Sequence, residues 1–248
     1  NLLSHIKQFP ENSVFKNLGI DINNENEVVK NYIKAQEEIN KRDGGTIRFL
    51  KTHSAMHDIN GNSFTNLKNT LGAIYIVRDP RKIINSYANH SDISLEDAKN
   101  RILEVQTLGG KKEPNNNTII HAGSWASNYN SWKQFKKVKK YFLVKYEDLV
   151  EDPETAFISV LKFVHSLTNS SFSIDNIKLN NTLKTTTFEY LQNLEKNNLF
   201  EESSNTKKGE IKFFKYGSQN DGIKNVPIQL RKDLEKVLKK EMVELGYI

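Results

Sequence analysis

The stretch from Gly72 to Ser86, GAIYIVRDPRKIINS, constrains the fold more than any other part of the chain. The apolar run from Ala73 to Val77 predicts a buried strand, and Pro80 stands where a helix takes its first residue. In α/β proteins built from such units, ligands bind at the carboxyl ends of the strands, where the following helix directs free N–H groups at an anion. The stretch therefore predicts an anion site that includes Arg78 and, two turns into the helix, Ser86.

Strands and helices alternate through the first two thirds of the chain, which predicts a parallel sheet with helices on both faces. Two further strands are expected at Thr46–His53 and Tyr141–Lys145, and Asp58–Ser63 and 108–118 are expected to be loops. The pattern predicts helices over 25–42, from Ser94 to about Thr107, over 124–135, from Asp152-Pro153 onward, over 187–195 and from Pro227.

Polar residues stand at the ends of the three predicted strands. These ends are Lys51-Thr52-His53, Arg78-Asp79 and Tyr146-Glu147-Asp148. In a parallel sheet the carboxyl ends meet at one edge, so we expect two cations, an imidazole and an aromatic ring to lie there together. Each side chain alone is as well explained by an ordinary structural role, and only the set favours a functional site.

The bulk composition excludes some classes of protein and leaves others open. A chain of 248 residues with a net charge of +6 suits an anionic small molecule as well as it suits nucleic acid. The sequence has no cysteine, which excludes disulfides and permits a reducing compartment, so we expect a cytoplasmic protein. No apolar run approaches the ~20 residues of a membrane span.

Three other site types fit the residues poorly. His53, His57 and Asp58 have the spacing of metal ligands, but the glutamate of the zinc-protease pattern is missing and the surroundings favour a loop. A serine hydrolase is disfavoured because the sequence has no Gly-x-Ser-x-Gly turn to carry the nucleophile. Gly109-Gly110-Lys111-Lys112 lacks the preceding strand of a phosphate loop.

Six segments, taken in order, resemble the sulfotransferases that use 3′-phosphoadenosine 5′-phosphosulfate, both the cytosolic type and its bacterial relatives. They are FLKTH from Phe49, VRDP from Val77 with Ser86, GSW from Gly123 with Trp132, YEDL from Tyr146, Thr187-Phe188, and FKYG from Phe214. In the last, Lys215 replaces an arginine and Tyr216 a lysine of the family's pattern.

The resemblance implies a role for each matching residue. His53 would be the base that deprotonates the acceptor, and Lys51 would contact the transferring sulfuryl group. The donor nucleotide would be held at its 3′-phosphate by Arg78 and Ser86, near its adenine by Tyr146 and Phe188, and by a loop with Lys215 and Gly217. No metal is required by this scheme.

The resemblance also implies a P-loop-NTPase-like three-layer sandwich, with a central parallel sheet flanked by helices, formed by residues 1–248 as one domain. Nothing before Phe49 matches the family's first strand and its phosphosulfate loop. We therefore expect that roughly 35–50 residues precede Asn1 in the whole protein. We expect this fragment to be inactive on its own.

The implied reaction is transfer of a sulfuryl group to a hydroxyl, or to an amine, of a small molecule. Because 55–66 and 108–121 are polar, a carbohydrate or another polar alcohol is favoured over a flat phenol. One alternative is a P-loop phosphotransferase, for which no Walker lysine or magnesium-binding acid is visible. Another is a basic nucleic-acid-binding domain, whose affinity would fall steeply with salt. We expect no nucleic-acid partner, and the oligomeric state stays open.

Overall fold

The computed structural model describes residues 7–42, 47–109, 118–200, 204–206, 209–211, 213–214 and 223–248. These residues form an α/β structure in which short strands pair two by two. The strands are β1 (Lys7–Gln8), β2 (Leu50–Lys51), β3 (Asp58–Ile59), β4 (Asn62–Ser63), β5 (Ala73–Val77), β6 (Gln106–Leu108), β7 (Ile120–Gly123), β8 (Tyr141–Lys145), β9 (Ser204–Thr206) and β10 (Gly209–Ile211).

Helices make up most of the remaining regular structure. They are α1 (Asn12–Asn17), α2 (Glu25–Lys30), α3 (Tyr32–Arg42), α4 (Pro80–Ser91), α5 (Leu95–Leu103), α6 (Trp125–Trp132), α7 (Tyr146–Glu151), α8 (Pro153–Thr168), α9 (Asn176–Thr185), α10 (Phe188–Lys196), α11 (Ile228–Val237) and α12 (Lys239–Glu244), with a 3-10 helix at Lys133–Val138.

The chain divides into two compact units. Unit 1 comprises 1–73 and 104–141, and unit 2 comprises 74–103 and 142–248. In unit 1, β1 and β2 pair in parallel, whereas β3 with β4 and β6 with β7 are antiparallel. Its core is an aromatic cluster whose rings pack mainly edge-on or tilted, as aromatic pairs prefer: Phe9, Phe15, Tyr32, Phe64, Trp132 and Phe135.

Unit 2 is built around β5, which pairs with β8, and the helices that follow these strands. The antiparallel hairpin of β9 and β10 also belongs to it. The apolar part of its core is aliphatic, and the buried side chains of α4, α5, α11 and α12 include Ile84, Ile102, Leu234 and Met242.

The α/β prediction and the strand–turn–helix prediction are both confirmed. The strand β5 ends at Val77, Pro80 is the first residue of α4, and the Asp79 carboxylate caps that helix by accepting the Arg81 N–H. The helix predicted at Asp152-Pro153 is confirmed in the same way, since Asp152 accepts the Thr155 N–H at the start of α8.

Four expectations about where strands, helices and loops lie are wrong, three of them in the first 63 residues. Of the strand expected over 46–53, only Leu50–Lys51 is a strand within the described positions 47–53, and the Thr52 hydroxyl accepts the Ser54 N–H in a local turn. The helix expected over 25–42 is interrupted at Asn31, which ends α2. Asp58–Ser63 is a hairpin rather than a loop, because Asn60 and Gly61 both adopt the positive φ of a tight turn.

The helix from Ser94 stops at Leu103, and Gln106–Leu108 is a strand paired with β7. The sequence pattern missed β6 because its partner lies beyond residue 117. In the part of the chain that the structure describes, no helix combines the length and the apolar character needed to cross a membrane.

Candidate functional site

The predicted catalytic pair, Lys51 and His53, belongs to unit 1. The side chains of both are exposed, and the carbonyl of Lys51 accepts the Phe9 N–H at 2.8 Å beyond the last paired residue of β1. Lys51 is therefore the last residue of an ordered strand, and His53 lies two residues beyond the strand end.

The backbone that follows Thr52 is held by one face of α6. Asn128 Nδ2 donates to the His53 carbonyl at 3.1 Å, and Trp132 Nε1 donates to the Ser54 carbonyl at 2.9 Å. The Ser131 hydroxyl accepts the Met56 N–H at 2.8 Å. Residues at i, i+3 and i+4 share a helix face, so one face of α6 binds the backbone of this segment at three positions. The position of His53 thus depends on a helix far away in sequence.

The segment that begins at His53 also runs beside β7. The Ala55 N–H donates to the His121 carbonyl at 2.8 Å. Gly123, at the end of β7, has φ +71, and a Cβ built there lies 3.6 Å from His57 Cε1 and 2.6 Å from Ser127 Oγ. A side chain at position 123 is therefore strained and would have to displace the Ser127 hydroxyl.

A cavity of about 400 Å³ opens in unit 1 at this place. Most of its lining side chains are polar, and two are imidazoles: His57, Asp58, Ile59, Asn60, Val105, Gln106, His121 and Gly123. Hydrogen-bonding groups next to the apolar faces of Ile59 and Val105 suit a small ligand that carries several hydroxyls.

His121 is a titratable group of this cavity, and its side chain is 17% exposed. Burial lowers its pKa from the ordinary value of 6.5, and the nearby Glu25 carboxylate offsets part of that effect. Nε2 lies 3.3 Å from Glu25 Oε1, but their alignment is not that of a hydrogen bond, and Nε2 is buried without a hydrogen-bond partner among the described residues. At neutral pH His121 is therefore an uncharged lining group.

Arg78 and Tyr146 come together in unit 2. The Arg78 guanidinium lies over the Tyr146 ring, 4.4 Å from its centroid, at the ends of β5 and β8. Arg78 Nε is buried and has no hydrogen-bond partner within the described residues. An unsatisfied buried N–H of a cation is costly unless an anion binds it, so this pair fits a phosphate group.

The backbone beside Arg78 is fixed by a network that reaches the last turn of the chain. Arg81 binds the Asp79 carboxylate through two of its nitrogens, Glu235 Oε1 at 2.6 Å and the Tyr247 carbonyl at 2.8 Å. Hydrogen bonds to Asp79 raise the pKa of Arg81 further above its high ordinary value.

Glu147 connects the two strand ends. One carboxylate oxygen accepts the Asp79 N–H at 3.3 Å and the other accepts the Tyr247 hydroxyl at 3.2 Å. Burial, and then the Glu147 charge, raise the pKa of Tyr247, which keeps its proton for that bond. Because Glu147 follows Tyr146 directly, this bridge helps to hold Tyr146 beside Arg78.

Ser86 and Phe188, the other predicted donor contacts that the structure describes, also lie in unit 2. The Ser86 hydroxyl donates to the Ile83 carbonyl at 2.8 Å, so a ligand at this position would have to redirect that proton. Phe188 is the first residue of α10, is half-buried, and packs edge-on against Phe214 with 5.8 Å between the ring centroids. Lys215 and Gly217 lie outside the described residues, and so does 110–117, most of the expected substrate loop.

Within the described ranges, no group of three or more His, Asp or Glu side chains is arranged to hold a metal ion. His53 and His57 therefore do not form part of such a group there.

A family model of the sulfotransferase domain matches residues 3–246. The chain belongs to the sulfotransferase family. Because the match runs through both units, the enzyme class of the chain follows from nearly its whole length. The comparison with curated proteins gave no match.

Solved structures similar to this sulfotransferase include a mouse sulfotransferase, SULT7A1, complexed with PAP. It is 15% identical, with 82% of this chain and 71% of that chain covered and a TM-score of 0.48. A retinol dehydratase in complex with androsterone and inactive cofactor PAP is 14% identical, with coverages of 88% and 64% and a TM-score of 0.49. A retinol dehydratase with retinol and PAP is 15% identical, with coverages of 79% and 53% and a TM-score of 0.49.

Sequence reasoning missed several residues that hold the candidate groups in place. Asn128 and Ser131 were part of a predicted helix without a role, and Glu147 was only a member of the Tyr-Glu-Asp segment. Arg81 was not singled out at all. Each of them has at least one partner far away in sequence, and such partners leave no local pattern; the polar face at i, i+3 on α6 is the one available signal.

Proposed function

We propose that this sulfotransferase transfers a sulfuryl group from 3′-phosphoadenosine 5′-phosphosulfate to a hydroxyl of a small polar acceptor. Both units are taken as one domain, because the family match crosses them. The observation that carries the proposal is the buried Arg78 Nε, which has no hydrogen-bond partner within the described residues, on a guanidinium that stacks on Tyr146 just before α4.

The donor would be held by residues of unit 2. Arg78 offers a forked cation to the 3′-phosphate, and Ser86 adds a hydroxyl once its proton leaves the Ile83 carbonyl. Phe188 offers a ring for the adenine, and Tyr146 contributes the aromatic surface beneath Arg78. Lys215 and Gly217, from the loop that the resemblance implies, would complete the donor contacts.

The chemistry would use the residues at the end of β2. As the acceptor oxygen attacks sulfur, the bond from sulfur to the 5′-phosphate oxygen breaks, and the acceptor proton passes to the His53 imidazole. The products are a sulfate ester and 3′,5′-bisphosphoadenosine. Lys51 would stabilise the negative charge that develops on the transferring group and the leaving oxygen.

The acceptor would occupy the cavity beside His57 and His121. Its amides, imidazoles and single carboxylate favour several hydroxyls over one apolar ring system, which supports a carbohydrate or another polyol.

Binding of nucleotides tests the donor proposal. In a thermal-shift series, 3′,5′-bisphosphoadenosine is expected to stabilise the chain more than 5′-AMP or single-stranded RNA, because Arg78 pairs with the 3′-phosphate. Arg78→Ala should lower the affinity for the bisphosphate relative to AMP by about tenfold or more. Arg101→Ala, which removes an exposed arginine of α5, should leave this ratio unchanged. Equal responses to the bisphosphate and to AMP contradict the donor site, and an RNA response that falls steeply with salt favours the nucleic-acid alternative.

An assay with labelled donor tests the chemistry and the acceptor class in the full-length protein. Sugars and other polyols are expected to accept label faster than phenols. His53→Ala should lower turnover by ~10²–10⁴-fold, since a general base is lost. His165→Ala, a histidine of α8 bonded to Ser170, is the matched control. Unchanged turnover in His53→Ala would rule out His53 as the base.

A further inference from the structure

One face of α10 contacts a single residue, Phe214, in three different ways. Phe188, Gln192 and Glu195 follow the i, i+4, i+7 spacing of one helix face. The Phe188 ring packs edge-on against the Phe214 ring, Gln192 Nε2 donates to the Phe214 carbonyl at 3.0 Å, and Glu195 Oε2 accepts the Phe214 N–H at 3.1 Å. The helix therefore holds the ring, the carbonyl and the amide of Phe214 together.

The Glu195 carboxylate is the central contact of this arrangement. Glu195 is only 5% exposed, and its other carboxylate oxygen, Oε1, accepts the N–H of Phe213. Two successive backbone N–H groups directed at one anion form a concave anion site, which here is filled by a side chain of the protein itself. A buried carboxylate is tolerated when it is bonded in this way, and such bonds are stronger than neutral ones. Glu195 thus fixes the backbone of Phe213 and Phe214.

The same two phenylalanines extend the contact to α4. The Phe213 ring packs edge-on against the His90 ring, with 5.8 Å between centroids, and lies 5.1 Å from the Phe214 ring. His90 is one turn beyond Ser86 on α4, at i+4. Phe213 and Phe214 therefore connect the helix that begins with Phe188 to the helix that carries Ser86.

We propose that Glu195 is a positioning residue for the donor nucleotide. By holding Phe213 and Phe214, it sets the Phe188 ring relative to Ser86, and thereby the adenine site relative to the 3′-phosphate site. The inference rests on the proposed function, because it takes Phe188 and Ser86 to be nucleotide contacts. Glu195 itself does not touch the nucleotide. Every residue in this chain of contacts belongs to unit 2, whereas the acceptor cavity is lined by unit 1.

Calorimetric binding of 3′,5′-bisphosphoadenosine tests the proposal. Glu195→Gln keeps the shape of the side chain but removes the charge and turns an amide N–H toward one of the two backbone N–H groups. We expect the dissociation constant to rise about tenfold. Glu189→Gln removes an exposed acid from the first turn of the same helix and should change it by less than about twofold.

Steady-state kinetics separate positioning from general loosening of the fold. For Glu195→Gln in the full-length protein we expect the donor KM to rise about tenfold, with the acceptor KM and the kcat at saturating donor unchanged. If Glu195→Gln does not fold, Gln192→Ala decides, because it removes only the neutral bond to the Phe214 carbonyl and should raise the donor KM about threefold.

Three results would overturn the inference. A folded Glu195→Gln variant that binds the bisphosphate like the wild type contradicts it, and so does a variant in which the donor KM and the acceptor KM rise equally while kcat falls. So does an unchanged donor KM in Gln192→Ala. A wild-type protein that binds no bisphosphate contradicts the proposed function itself, and this outcome is seen before any variant is made.

Discussion

Gly123 shows how a single residue shapes the cavity proposed to hold the acceptor. It adopts φ +71, a region that costs other residues roughly 1–2 kcal/mol, and an added Cβ would lie 2.6 Å from Ser127 Oγ. The absence of a side chain lets the end of β7 approach His57 and Ala55, the residues that follow the candidate base. The glycine therefore permits both the turn into α6 and the close packing of β7 against the segment that contains Ala55 and His57.

His121, in the same wall, predicts a pH dependence of stability. Its pKa is lowered in the fold, so the unfolded chain binds a proton more readily, and its contribution is complete above about pH 6.5 and is lost as the pH falls toward the folded value. In thermal unfolding, the wild-type melting temperature should fall between about pH 7.5 and about pH 5.5. His121→Gln should show a smaller fall, with His165→Gln as the control. An identical fall in the wild type and in His121→Gln would assign the effect to other groups.

At the scale of elements, a network around Arg81 joins α4 to α11 and to the last turn of the chain. The side chain of Arg81 is 15% exposed and that of Asp79 is 4% exposed. Glu147 continues the network from the Asp79 N–H to the Tyr247 hydroxyl. The conformation of the Arg78–Asp79 turn is therefore stabilised by residues more than 150 positions away.

Arg81→Ala should destabilise the fold strongly, because it leaves the Asp79 carboxylate buried without its cation. We expect a loss of about 3 kcal/mol, seen as a fall of roughly 6–12 °C in the melting temperature. Arg81→Lys should recover only part of it, since lysine lacks the fork that reaches three partners. Lys82→Ala, at the next position, is the control. A fall in Arg81→Ala no larger than that in Lys82→Ala would show the network to be dispensable.

At the scale of the whole molecule, neither unit is continuous in sequence. The chain leaves unit 1 after Ala73, returns at Glu104 and leaves again after Tyr141. No single cut in the chain separates the two units. The candidate residues are divided in the same way, with Lys51 and His53 in unit 1 and Arg78, Ser86, Tyr146 and Phe188 in unit 2.

The parts of the fold that sequence reasoning predicted are those with a local cause. The apolar run of β5, the proline that begins α4 and the aspartate that caps α8 each act within a few residues, and each is confirmed. The boundaries that failed depend on distant partners, as β6 does on β7. The same division holds for the candidate site: Arg78 stands out by its place after a strand, but the roles of Arg81 and Glu195 follow only from side chains that the fold brings to them.

The anchoring of the His53 segment by α6 has a spectroscopic consequence. The sequence contains two tryptophans, and both lie on this helix. The Trp132 indole donates to the Ser54 carbonyl, one residue after the candidate base, and Trp125 stacks on Tyr129. All tryptophan emission of the chain therefore originates beside the segment that would receive the acceptor. The unlabelled protein carries its own fluorescent reporter there.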